Sequence, residues 1–555
     1  MRFRSYQLLL CLLPGFGLRA QGVWNAPATT TWNYIVNGQP ASSPILVSSG
    51  TNGQLVYAPY ANEGESNAVN TIPDFSMCGY RKGGIALPVI TEIKKILSPL
   101  LYAEDNTPQI QAAIDLVSSY PADSNGLRGV ILLKAGTYNL LNVLSITVSG
   151  VILRGEGQGV NGTVLVDKLA AQNSFITIRG TTIKLGGDDI SVRKQITDNY
   201  VATGTKSFNV ANVTGLHAGS DIIVVRTPNQ AWLDTIKMTQ IGWTTAEYKV
   251  QYERTITAIV GNTITIDAPI VDPIQTVYGG GYIYPANPVG RITNCAVENM
   301  RLESRYDINN TADEQHGWQA IKLLSAENCW IKKVTAKNFG YSCVSIGSFS
   351  RFNTVEECAM LDPISLTTGG RKYSFDISGP VSFCLIQRCY TRGGRHDFVA
   401  GERTPGPNAF LDGLSEQTLA DAGPHHRWCT GLLFDNIKCG DIYVRDRAEA
   451  GTGHGWAGAQ TLFWNCVATY PRTMIVASPI GAKNWSIGST GITDGAGYWA
   501  SHGTPVTPRS LYINQLKDRS GIGAVNNVTT PAQRNGTIYE LLKSWAGEGD
   551  LPGVN

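Results

Sequence analysis

Five of the seven histidines, His316, His396, His425, His426 and His454, fall within one quarter of the chain, where scatter would place about two. The same window carries unusual polar strings: GGRKYSFDISG from Gly369, GGRHDFVAGER from Gly393, GPHHRW from Gly423, YVRDR from Tyr443 and GTGHGWAG from Gly451. Ionisable groups crowded this way are the usual mark of a site. The set suits β-elimination on a uronic-acid polymer, which needs a cation on the C5 carboxylate, a base for the C5 proton and an acid for the departing O4. Arginine grips a carboxylate with two donors and stays charged, and histidine or tyrosine shuttles the proton. In RHD, Arg395 is the neutraliser, His396 the base, and Asp397 the group that orients the imidazole or braces the arginine. Tyr373, His425 or His426 is the acid. Arg371, Lys372, Glu402, Arg403, Arg427, Arg445, Arg447, His316, His454 and Trp456 are expected to hold the anionic chain on either side. In an extended RHD, Arg395 and Asp397 share one face and His396 takes the other, so a turn is required for joint action.

Two other chemistries compete. Hydrolysis needs two carboxyl groups at a set separation, and Asp376, Asp397, Glu402, Asp412 and Glu416 are available. Binding without turnover would use Trp318, Trp428 and Trp456 as stacking platforms. No cofactor is required; calcium is admitted through Asp362, Asp376 and Asp397, since it takes carboxylates and carbonyls. A zinc site made only of His425, His426 and His454 is disfavoured, because neighbours on an extended strand point to opposite faces.

Residues so far apart meet only if the chain coils. Six segments can be laid over one another: CAVENMRL from Cys295, CWIKKVTA from Cys329, NTVEECAM from Asn353, CLIQRCYT from Cys384, LLFDNIKC from Leu432 and TLFWNCVA from Thr461. Position three is always apolar, and position six is apolar or cysteine. The starts lie 34, 24, 31, 48 and 29 residues apart, the period of a solenoid with variable loops. Stacked coils sit about 5 Å apart, the spacing of strands in a sheet, so Tyr373, His396, His425 or His426, Arg445 and His454 converge on one face. Upstream, Thr107-Pro108 opens a helix with Ile110, Ala113, Ile114 and Val117 on one side, followed by short β-branched runs. A capping helix that feeds such a ladder covers the open end of an apolar bore.

The stretch DNTPQIQAAI…GVILLKAGTYNL…ITVSGVILRGEGQG resembles the cap and first coils of the pectate-lyase-like superfamily, and the CLIQRCYTRGG-type coils are similar to its middle. The resemblance spans residues 100 to 185 and 291 to 490. It implies an all-β, right-handed parallel β-helix with an N-terminal capping helix, and carbohydrate work of unspecified reaction, since that superfamily holds lyases, hydrolases, epimerases and tail-spike depolymerases. Its calcium-binding motifs do not transfer residue by residue. GTGHGWAG is slightly like the Gly-His-Gly element of polygalacturonase-type hydrolases, without their adjacent aspartates.

The expected layout is a signal peptide over 1–20, an irregular wrapping segment over 21–100, cap and first coils over 101–185, a small antiparallel β insert over 186–290, main coils over 291–500 and a tail or cap over 501–555. The leader reading rests on two arginines, the apolar run Leu8 to Leu13, the Pro14-Gly15 break and Ala20, and predicts export to the periplasm or beyond. The insert contains the hairpin RTITAIVGNTITIDAPI, turning at Gly261-Asn262. In the tail, Ile538 to Trp545 is a helix expected to close the far end. Lys and Arg number 45 against 43 Asp and Glu, which excludes bulk attraction to nucleic acid or anionic membranes. No apolar run is long enough to span a bilayer. Besides Cys11 there are ten cysteines, without a C-x-x-C pair; one or two disulfides at most are expected, the remaining thiols being core. Six N-x-S/T sequons (Asn161, Asn212, Asn309, Asn484, Asn527, Asn535) would accept glycans in a eukaryotic secretory route.

Overall fold

The computed structural model describes residues 44–100, 104–181, 183, 185–469 and 471–553. The signal-peptide reading of Met1 to Ala20 lies outside these residues. Between Ile93 and Ala500, apart from an insert, the chain winds through three parallel sheets that enclose one apolar bore. The first includes Gly129–Leu133, Val151–Arg154 and Thr354–Glu356, and the second Gly136–Leu140, Thr163–Asp167 and Ala359–Leu361. The third sheet has ten strands: Leu144–Ile146, Ser174–Arg179, Gln319–Leu324, Ser342–Ile346, Tyr373–Ser378, His396–Gly401, Asp421–His426, Asp441–Val444, Thr473–Val476 and Ile492–Asp494. The architecture is a right-handed parallel β-helix.

The six-segment pattern has a backbone cause. Position three forms one column, Val297, Ile331, Val355, Ile386, Phe410, Phe434 and Phe463, each in register with the next and all inside the bore. Position six also faces inward, which strict alternation along a strand forbids. The resolution lies at position five: Asn299, Lys333, Glu357, Arg388, Asn436 and Asn465 all have φ between 50° and 59°. A left-handed residue bends the chain from the first sheet into the second and resets the alternation. Such a residue is uncommon outside glycine, and the corner is held by side-chain bonds such as Asn299 Nδ2 to Gly155 O at 3.1 Å and Asn465 Nδ2 to Val506 O at 2.9 Å.

The helix Thr107–Ser119 buries Ile110, Ala113, Ile114 and Val117 against the first coils. Asn106 rather than Thr107 is its N-cap residue, and the Thr107 hydroxyl bonds Asp105 at 2.5 Å. Residues 44–100 run along the outside of the first sheet, from Tyr60 edge-on to Trp485, past Tyr80 edge-on to Trp330, to Ile93–Leu97, which pairs with Gly129–Leu133. The tail lies along the outside of the first sheet through Leu511 and Leu516 and then of the second. Its helix Ile538–Trp545 packs on Leu361 and Tyr390, and Glu548 reaches Arg301 at 2.9 Å; the far-end position expected for it is therefore corrected. All ten described cysteines are free and buried, so the expectation of one or two disulfides is also corrected. Thiols filling inward columns act as small apolar side chains.

The segment between the second and third coils forms a six-stranded antiparallel sheet with its own core around Val224, Tyr252, Ile264 and Ile283. Its hairpin pairs Val250–Val260 with Thr263–Ile266. The loop following Arg226 returns to the β-helix at the histidine-bearing coils.

Candidate functional site

The third sheet assembles the cluster. Tyr373 and His396 are direct neighbours in register on adjacent coils, and Asp421–His426 lies on the next. The Tyr373 ring stands edge-on to His396 at 5.0 Å and to His425 at 5.4 Å. His396 and His425 are 4.3 Å apart, His425 and His454 5.2 Å, and His426 and His454 5.0 Å between centroids. His425 and His426 both reach this group, against the opposite-face expectation. A β-bulge explains it: Ala400 pairs with Pro424 but Gly401 with His426, which leaves His425 as the extra residue. A Cβ on Gly401 would stand 2.7 Å from the His426 ring, so glycine leaves that ring its place.

His396 forms the floor, 1% exposed, and Arg395, His426 and His454 form the half-exposed rim. His396 Nδ1 lies 2.7 Å from the Asp421 carbonyl oxygen, so it donates and leaves Nε2 with a free lone pair; Nε2 is buried without a partner. The Asp421 carboxylate takes Arg447 at 2.5 Å and lies 3.6 Å from His396 Nδ1. Burial, only partly offset by Asp421, pushes His396 down to about 4. Burial and the charges of neighbouring histidines and arginines push His426 down to about 3 and His425 lower still. His454 is lowered by burial and by Arg447 and Arg427. Tyr373 is raised by burial, with Arg395 beside it opposing. At neutral pH the site therefore holds uncharged imidazoles and a protonated phenol under a rim of arginines.

The rim is stacked as well. Glu402 and Arg403, and one coil later Arg427 and Trp428, all take left-handed backbone conformations with φ of 48°, 60°, 61° and 57°, the same conformation that bends the chain at the other corners. Arg403 N donates to Arg427 O at 2.8 Å and Arg427 N to His454 O at 3.0 Å. Arg403 pairs with Glu402 at 2.7 Å, Arg427 bonds Thr452, and Arg445 lies over Tyr443. The insert pins this edge: Trp243 Nε1 donates to Gly453 O at 3.0 Å and Trp456 Nε1 to Ile236 O at 3.2 Å.

Several expected residues lie elsewhere or do other work. Asp397 accepts from Ser374 Oγ at 2.6 Å, near Thr391 and Ser415, and burial pushes it up to about 6. Strand alternation sends it to the face opposite His396, and the Asp421 carbonyl orients that imidazole instead. His316 is fully buried, with Nδ1 2.8 Å from Ser304 Oγ and Nε2 near the carbonyls of Asp313 and Ile364; its ring nitrogens are spent on structure. Arg371 is locked to Glu314 at 2.5 Å, and Lys372 bonds Thr367. Trp428, 1% exposed and edge-on to Trp232, is closed off as a platform. The five carboxyls considered for hydrolysis are dispersed: Asp412 pairs with Arg509, Glu416 accepts from Tyr390 on the outer flank, and Glu402 is held by Arg403. The calcium trio is dispersed too, Asp362 pairing with Arg392 and Asp376 bonding Tyr341 and Ser345. A separate cavity of about 310 Å³ lies on the flank beside Lys332, Glu356, Arg388 and Tyr512, and its charges are spent on one another.

The sequence reading missed Asp421, Tyr341 and the proximity of Trp318. Asp421 follows His396 by one coil of 25 residues, a signal visible in the coil period. Trp318, Tyr341 and Tyr373 continue the site as an aromatic run, 6.5 and 4.9 Å between centroids. Behind it, burial pushes the Asp376 carboxyl up to about 7.

No family model matches the chain, and no curated protein matches it. Among solved structures it is similar to the tailspike gp61 of Pseudomonas phage phi297, with 12% identity, TM-score 0.42 and coverage of 71% of this chain and 65% of that one. It therefore spans just under two thirds of that tailspike. The tailspike gp49 of Pseudomonas phage LKA1 gives 13% identity and TM-score 0.36, covering 71% of this chain and 74% of that chain. DFA-IIIase from Arthrobacter chlorophenolicus A6, solved with GF2, gives 10% identity and TM-score 0.32, covering 71% and 68% respectively.

Proposed function

We propose that the protein is a polysaccharide lyase that cleaves a uronic-acid-containing chain by β-elimination. The carrying observation is the Tyr373–His396 pair beside Arg395, with a free Nε2 on His396 fixed by the carbonyl of Asp421. Arg395, whose Nη1 is buried without a partner, neutralises the C5 carboxylate and so acidifies the C5 proton. His396 Nε2 takes that proton, and the electron pair becomes the C4–C5 double bond. The bond from C4 to O4 breaks, and the phenol of Tyr373 donates its proton to O4. Positioned proton transfer contributes about 10²–10⁴-fold. Substrate enters from the half-exposed rim of Arg395, His426 and His454, while Trp318 and Tyr341 offer ring faces along the coil axis. Elimination is favoured over hydrolysis because the candidate carboxyls are dispersed and tied to other partners.

The test is incubation with several uronate polymers, followed at the ultraviolet absorption of a 4,5-unsaturated uronide. A rising signal that His396→Ala abolishes, with the fold intact, supports the reading. New reducing ends without that absorption mean hydrolysis, and affinity without turnover means a binding protein.

A further inference from the structure

We infer that His396, Asp421 and His425 form a binding site for a zinc-class divalent ion, and that such an ion inhibits the enzyme by occupying the base. Each residue brings one donor atom, and the three donors lie within 4.8 Å of one another. All three are buried, at 1%, 5% and 4% exposure. His396 Nε2 and His425 Nδ1 are buried with no hydrogen-bond partner. A buried polar atom left unpaired costs about 1–3 kcal/mol, and each of the two imidazoles in this group carries one.

The surroundings match what ligand side chains require. A metal-binding histidine donates its other ring N–H to a carbonyl or carboxylate, and a metal-binding carboxylate is itself hydrogen-bonded. Here His396 Nδ1 donates to the Asp421 carbonyl at 2.7 Å, and Arg447 holds one Asp421 oxygen at 2.5 Å while the other is nearer His396. Two imidazoles and one carboxylate make the donor set of an open zinc site, with the fourth position left to solvent or a substrate oxygen. Calcium, which takes six to eight oxygens, is excluded at this place by the same set. The nearby arginines also select against ions held by charge alone and favour one bound through nitrogen.

The binding claim stands without the lyase reading; the inhibition rests on it. The test is calorimetric titration of the tag-free, chelator-stripped full chain with ZnCl₂, with no substrate present. One ion per chain is expected. His425→Ala and Asp421→Asn are each expected to weaken binding by more than about tenfold, the low end of what losing even an outer partner of a metal ligand costs. His217→Ala, an exposed histidine on the insert, is expected to change nothing. The Co²⁺-loaded wild-type chain needs no substitution and should show the intense visible bands of low-coordinate nitrogen and oxygen ligation. No binding, binding that survives both ligand substitutions, or a spectrum of hydrated Co²⁺ overturns the site. Binding without loss of elimination overturns the inhibition alone.

Discussion

Replacing Arg447 with methionine removes the cation that holds Asp421 in place. The two side chains are 10% and 7% exposed, and the Nη2–Oδ2 distance is 2.5 Å. The substitution therefore strands a carboxylate in a nearly dry position, and breaking a buried pair in this way costs about 3–5 kcal/mol, against about 0–1 kcal/mol for a surface pair. The reverse loss is milder: in Asp421→Asn the arginine stem can carry its charge outward to water. The double variant, with neither charge, is expected to recover most of the stability lost by Arg447→Met alone. Urea unfolding of the wild type, both single variants and the double variant closes a thermodynamic cycle, with an expected coupling above about 2 kcal/mol. A cost for Arg447→Met below about 1 kcal/mol, or a double variant as unstable as that single one, refutes the claim that this pair fixes the floor of the site.

Burial alone would raise the Glu356 carboxyl, but Arg388 and Lys332 outweigh it and hold the group down at about 2 from an ordinary 4.5. This depressed group contributes stability that is fully present above pH 4.5 and is lost as pH falls toward 2. Thermal melts of the wild type should drop through that window, and Glu356→Gln should flatten that part of the profile. Trp243→Phe keeps an aromatic ring against Tyr248 but loses the indole N–H and its bond to Gly453 O at 3.0 Å. About 1 kcal/mol of local stability should go, read as roughly fivefold faster amide exchange over residues 451–456 with the global melt unchanged. Gly401→Ala places a methyl 2.7 Å from the His426 ring; the ring must move, and its NMR signals should shift while those of buried His316 stay in place.

The coil was legible because what defines it is chemical: apolar or cysteine side chains at two positions in six segments. The corner between them was not. Asn299, Lys333, Glu357 and Arg388 share no side-chain property, only a positive φ imposed by the bend. The convergence of Tyr373 with the histidines followed from the period, and the same arithmetic applied to His396 would have reached Asp421. What strand alternation could not give were its local exceptions. A bulge brings His425 and His426 to one group, and the bend before the strand brings Arg395 beside Tyr373. His316 shows the opposite limit, since its type and neighbourhood suggested a site while three satisfied contacts make it structural. The clamp from Trp243 joins residues 210 apart, and no local pattern encodes such a pairing.

The most direct measurement is the mass of the fragments released from a defined uronate oligosaccharide by the wild type, His396→Ala and Tyr373→Phe. Elimination by the Tyr373–His396 pair predicts a reducing-side fragment, with the unsaturated uronide at its new non-reducing end, lighter by one water than the hydrolytic product, abundant for the wild type and missing for both variants. Fragments carrying the full water, or unsaturated fragments formed undiminished by both variants, contradict it.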